Sequence, residues 1–159
     1  MKKALQQQGY DQLDIAILEE LQINGRTSVA DLARRIHLSQ PAVHNRIKRL
    51  ERDGIIQQYV TLLNQKAVGY DLMCFVQVRL ASHQADSIDT LKQTIQAMVR
   101  VLECFLVAGQ NDMILKIVVE NQQALNNFIS NLVSLDAIDR IESSVVLEEI
   151  KLTTALSLE

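Results

Sequence analysis

Asn45, Lys48, Arg49 and Arg52 fall within eight residues of one another, with Gln40 and His44 just before them. Amide and imidazole side chains can read base edges: an amide suits adenine, and His can donate to guanine acceptors. Lys and Arg meet phosphates, which give affinity without sequence information. Gln40, His44 and Asn45 are therefore candidate base contacts, with Pro41 beside them. Lys48, Arg49 and Arg52 are candidate phosphate contacts, and Arg26, Arg34 and Arg35 candidate clamps on the DNA backbone. A second run with chemistry is Gly109-Gln110-Asn111-Asp112. Loop amides near Gly109 can hold a carboxylate, Asp112 can pair with an α-ammonium, and Ser143 and Ser144 add hydroxyls. Such a set suits a free amino acid, both of whose charges must be met once water is removed. The same four loop residues also suit a plain hairpin turn. Sequence alone does not bring the loop and the two serines together.

Other chemistry is not legible. The three histidines and two cysteines have no metal-ligand spacing, so no metal site is expected. His37 and His83 read as surface or turn residues. Cys74 and Cys104 lie in strand-like runs and are expected as reduced, packed thiols. There is no Gly-rich anion loop and no Ser/His/Asp or Cys/His pairing. No catalytic residue and no cofactor are expected, and the chain is not read as an enzyme.

The elements that must hold these groups follow from periodicity. A first helix is predicted over residues 11–22, with Leu13, Ile17, Leu18 and Leu21 inward and Asn24-Gly25 as its stop. Ser28 caps a second helix carrying Val29, Leu32, Ala33 and Ile36 at i, i+3, i+4, i+7. Leu38-Ser39 turns the chain, and Ser39 caps a third helix. Pro41 sits in its first turn, where a missing N–H costs nothing. Val43, Ile47 and Leu50 cluster within about 60° on the buried side, at 100° per residue. The basic and amide residues fall on the other side. Gly54 ends the helix, and residues 55–64 (IIQQYVTLLN) read as extended, the pattern of a winged helix-turn-helix. Residues 64–71 read as a hinge, flexible at Gly69. Beyond it the order is strand 72–81, helix 86–100, strand 101–108, strand 113–119, helix 122–135, strand 138–152. This is βαββαβ, a ferredoxin-like plait whose helix-free face would favour dimerisation if apolar. The fold class is α+β. The expected division is a DNA-binding domain over 1–63, the linker 64–71 and an effector and assembly domain over 72–159.

Bulk properties agree with that division. The 159 residues are 48% hydrophobic and 22% charged, with net charge −3. Residues 1–60 carry +2 and the remainder −5, while Arg26–Arg52 alone carries +5. A phosphate backbone responds to the local field. No apolar run approaches the roughly 18 residues of a membrane span. The amino terminus lacks a signal-peptide pattern, so the expected location is cytoplasmic, with no membrane partner.

The chain resembles the Lrp/AsnC family, the leucine-responsive or feast/famine regulators, over nearly its full length. The resemblance rests on Leu13-Asp14, Gly25-Arg26, Leu32-Ala33, Ser39, Arg46, Leu50-Glu51 and Gly54-Ile55-Ile56, and on the Gly109-x-x-Asp112 motif. It implies a regulator of amino-acid metabolism that binds double-stranded DNA at a pseudo-palindromic operator. It also implies dimers that often assemble into octamers, with an amino-acid effector held between dimers. Carried over, the effector site is Gly109, Gln110, Asn111, Asp112, Ser143, Ser144 and Val145. Gln110 and Asn111 stand where members often have acidic or aromatic residues. Ser143 stands where Thr is frequent, and Ser144 where an aromatic can occur. The alternative reading is an architectural DNA-binding protein that needs no effector.

Overall fold

The computed structural model describes residues 2–158; Met1 and Glu159, the outer bounds of the expected domains, lie outside the described residues. The chain forms two compact units, Met1–Leu62 with Lys151–Glu159, and Leu63–Ile150.

Among the described residues the first unit has four helices: α1 (Lys2–Gln7), α2 (Gln12–Ile23), α3 (Val29–Arg35) and α4 (Gln40–Arg52). Each of the last three starts on a side-chain cap. Asp11 accepts from the amides of Leu13 and Asp14 and forms a reciprocal capping box with Asp14, Ser28 caps Asp31, and Ser39 caps Ala42. His37, at φ 55°, turns the chain between α3 and α4. Gly54 closes α4 at φ 72°. Its N–H donates to the Glu51 carbonyl and the Ile55 N–H donates to the Leu50 carbonyl. This is the paired bonding of a Schellman stop, which needs a left-handed residue. The core packs Ile15, Ile17 and Leu18 of α2 against Leu32, Ala33, Val43 and Leu50.

Two expectations change here. The inward face of α2 is rotated, so that Asp14 and Ile15 are buried while Leu13 and Leu21 are only partly covered. Residues 57–64 form neither helix nor β-ladder, and the sheet found among the described residues is built wholly from the second unit. The expected wing segment is thus not a strand.

The second unit opens with a 3₁₀ turn at Lys66–Val68, stopped by Gly69 at φ 93°. Next come β1 (Leu72–Leu80), α5 (Ala85–Gln96), β2 (Val101–Leu106), β3 (Met113–Val119), α6 (Gln122–Val133) and β4 (Ile138–Val145). The sheet order is β2-β3-β1-β4, with all neighbours antiparallel. Cys74, Val76, Val78 and Leu80 alternate onto the helix-covered face, where they meet Leu115, Ile117, Leu91, Ile95, Phe128 and Leu132. Phe75 and Phe105 lie on the opposite face and are exposed. Cys104 is not packed as expected: it is exposed on the edge strand β2, while Cys74 is fully buried and burial pushes its thiol pKa up.

β4 ends at Val145 rather than at residue 152. Its neighbour β1 begins at Leu72, and the last bond runs from the Val146 N–H to the Met73 carbonyl, so nothing remains to pair with. From Lys151 onward the chain packs with the first compact unit. Leu158 enters its core, and the Gln22 side-chain amide both donates to the Leu156 carbonyl at 3.0 Å and accepts from its N–H at 2.6 Å.

Candidate nucleic-acid interface and effector loop

Burial of Val43 and Leu50 leaves Gln40, Pro41, His44, Asn45, Lys48 and Arg52 on the exposed side of α4. The start of this helix, which normally meets base edges, therefore presents an amide, an imidazole and a second amide together. Lys48 pairs with Glu51 at 3.3 Å and Arg52 with Asp53 at 2.9 Å. Both are solvated pairs of small worth, exchangeable for phosphate. Arg52 and Tyr10 hold the Asp53 carboxylate pKa below its usual range. Arg26 is exposed, Arg34 pairs with Asp31, and Arg35 reaches Glu20 on α2.

Arg49 departs from its expected place. Its Nη2 donates to Asp14 Oδ2 at 2.6 Å, and its guanidinium lies over the Tyr10 ring, 4.9 Å from the centroid. The physical reason is Asp14, a carboxylate with no exposed surface, which requires a charged donor. Arg46 supplies another, at 2.8 Å. Periodicity puts Arg49 with the other basic residues, opposite the buried stripe. It carries no sign of the burial of Asp14, although the capping pattern Asp11-x-x-Asp14 is visible in the chain.

The loop between β2 and β3 is a hairpin pinned to the end of β1. The Asp112 N–H donates to the Val78 carbonyl at 2.9 Å, and the Val107 N–H to the Asp112 carbonyl at 2.8 Å. Arg79 donates to the Gln110 carbonyl at 2.9 and 3.3 Å, and Asn111 Nδ2 to Gln77 Oε1 at 2.6 Å. Asp112 is already engaged: Oδ2 accepts the Leu80 N–H at 2.8 Å, and His83 Nε2 sits 2.9 Å from Oδ1. The Leu80 amide first, then His83, keep this carboxylate pKa low. His83, read from sequence as an ordinary surface residue, is thus part of the loop. Gln77 and Arg79 are further members that sequence reasoning missed; their alternation along β1 is the only signal that could have marked them.

Ser143, Ser144 and Val145 do not gather as one set. Ser143 pairs with Val76 on the helix-covered face, and Ser144 with Phe75 on the open face that also carries Gln77 and Asn111. Val145 pairs with Cys74 and lines a cavity of about 380 Å³ with Asp71, Leu72 and Asn121, which includes none of the loop residues. Gly109 and Gln110 are exposed. Among the described residues no group of three or more His, Cys, Asp or Glu could hold a metal ion, and no helix is long and apolar enough to cross a membrane.

Both halves match known domains. Residues 11–51 match the AsnC-type helix-turn-helix domain and residues 73–156 the Lrp/AsnC ligand binding domain. The leucine-responsive regulatory protein of Haemophilus influenzae is 35% identical over 150 residues, 94% of this chain and 90% of its own length. A transcriptional regulator of Neisseria meningitidis, solved with L-methionine, superposes with a TM-score of 0.90 at 34% identity, covering 94% of this chain and 97% of that one. A feast or famine regulatory protein of Mycobacterium tuberculosis, also solved with L-methionine, gives 0.81 at 28% identity, with 92% and 97% covered. With its capped helix-turn-helix and its βαββαβ sheet both matched in this way, the chain belongs to the Lrp/AsnC family and is a DNA-binding transcriptional regulator, not an enzyme.

Proposed function

We propose that the chain works as a dimer that presents two copies of α4 to a pseudo-palindromic operator, and that an amino acid bound at the Gly109–Asp112 loop adjusts this binding. The observation that carries the first part is the outward face of α4, where Gln40, His44, Asn45, Lys48 and Arg52 are all exposed over a buried Val43 and Leu50. Two-fold pairing of such helices gives half-sites about one helical turn apart or multiples of it. A protein that reads DNA works where the chromosome lies, which for a bacterial regulator is the cytoplasm.

For the effector, two solved relatives hold L-methionine. In this chain Gly109 and Gln110 are exposed while Asn111 and Asp112 are half-buried, and Asp112 already accepts the Leu80 amide, so its carboxylate orders the loop whether or not it also meets a ligand. Full desolvation of an amino acid there needs a neighbouring copy, which supports dimers assembling further, up to an octamer. The effector acts by favouring one assembly or half-site geometry over another, which requires unequal affinity for the two.

The test has two arms. Gel shift of a duplex selected from a random library by the full chain is expected to weaken with Lys48→Ala, and the salt slope to fall by about 1. Unchanged affinity and slope would remove Lys48 from the interface. Thermal shift against the twenty amino acids is expected to single out an apolar one, stabilising by about 2.7 kcal/mol at a hundred times its dissociation constant. No shift with any of them at millimolar concentration would leave an effector-independent architectural protein.

A further inference from the structure

The cations of α4 do two different jobs, and the division follows from one buried group. Asp14 is charged, fully buried and shared. Its Oδ1 accepts from Arg46 at 2.8 Å, and its Oδ2 accepts from Arg49 at 2.6 Å and from the Asp11 N–H at 2.9 Å. Arg46 also donates to Asp11 Oδ1 at 2.8 Å. Arg49 lies over Tyr10, and the Tyr10 hydroxyl donates to Asp53 at 3.0 Å. Asp53 is the C-cap of α4 and accepts from Arg52 at 2.9 Å. A continuous chain of contacts therefore runs from the N-cap of α2, across the middle of α4, to the end of α4.

Its three carboxylates and three guanidinium groups balance. Arg46 and Arg49 stand three residues apart on one side of α4, and both point at the same carboxylate. This adds a directional constraint on the roll of the helix about its own axis to the one set by the buried Val43 and Leu50. Arg49 gives up a hydrogen bond to sit there, its Nε being buried without a partner. Roll matters for reading, because a turn of α4 moves Gln40, His44 and Asn45 together relative to a base edge, and recognition groups must be held to within about 0.5 Å.

We propose that Asp14 is the positioning residue of the DNA-reading helix, acting through Arg46 and Arg49, and that Arg49 touches no phosphate. The inference rests on α4 being the element that meets DNA. Phosphate contacts carry the salt dependence of binding, whereas positioning carries affinity and selectivity at constant slope.

The experiment measures affinity and salt slope with the selected duplex, for the full chain and its variants. Asp14→Asn and Arg49→Lys are each expected to weaken binding by about tenfold or more with the slope unchanged. Lys48→Ala, in the same assay, is expected to lower the slope by about 1. The double variant Asp14→Asn/Arg49→Gln removes both charges together, and is expected to bind more tightly than the product of its two single effects, Asp14→Asn and Arg49→Gln. Arg49 is partly exposed, so Arg49→Lys keeps the question open to measurement if Asp14→Asn melts too low to assay. The proposal is overturned if Arg49→Lys binds as the wild type does, if Arg49→Gln lowers the slope as Lys48→Ala does, or if the double variant is additive. Loss of the Lys48 effect as well would point instead to failure of the α4 reading itself.

Discussion

Asp112 shows how one carboxylate can organise a loop before any ligand arrives. Its two oxygens are met by the Leu80 amide and by His83, and these lower its pKa from the usual carboxylate value. A depressed folded pKa contributes stability that is fully present above the unfolded value, near 4, and is lost as pH falls through the folded one. The Leu80 amide should therefore be protected from hydrogen exchange at neutral pH and lose protection only in strongly acidic solution. His83→Ala removes the second partner, so the Asp112 titration followed by NMR should move up towards the ordinary range. An Asp112 titration that stays where it was would show that His83 contributes nothing. Asp112→Asn keeps an acceptor for Leu80 but loses the charge, and should weaken amino-acid binding more than it destabilises the fold.

At the scale of elements, stops and seats decide more than propensity. Gly54 has open space around its Cα, so Gly54→Ala meets no clash, only the left-handed backbone. The cost should be about 1 kcal/mol, read as a lower melting temperature with DNA contacts intact. The carboxy-terminal segment is an element without regular structure whose place is set by Leu158 in the helical core and by Gln22 on the Leu156 backbone. Leu158→Ala should cost about 2 kcal/mol, the low end for a buried leucine, and should raise hydrogen exchange in α2. If exchange rises only in the second unit, the segment is not seated on α2 in solution.

For the whole molecule, the open face of the sheet is where the proposed dimer can be tested. Phe75 is 41% exposed and Phe105 54%, on a sheet whose other face is filled by α5 and α6. Apolar surface of this kind, left without a cover in one chain, fits a second copy. Phe75→Glu should shift the protein towards monomer in sedimentation and weaken operator binding, since half-sites bound singly lose the gain from linkage. A variant that stays dimeric would move the interface to another face.

Local signals were legible because they are local. Ser28 and Ser39 as caps, Gly54 as a stop, the Val43/Leu50 stripe and the βαββαβ order could be read from the residues, since each depends on neighbours within a few positions. Side chains exposed on α4 followed from the same periodicity. What depended on distant partners could not be read. The end of β4 was set by where β1 starts, and whether the residues after Gly54 join a ladder depends on a partner strand, of which there is none beside them among the described residues. Ser143 and Ser144 parted because adjacent strand residues face opposite ways once one face is buried. Above all, the sequence by itself determined that α4 would be basic. Only tertiary structure decided that Arg46 and Arg49 turn inward, because a carboxylate thirty-two residues from the first and thirty-five from the second is buried and must be paired.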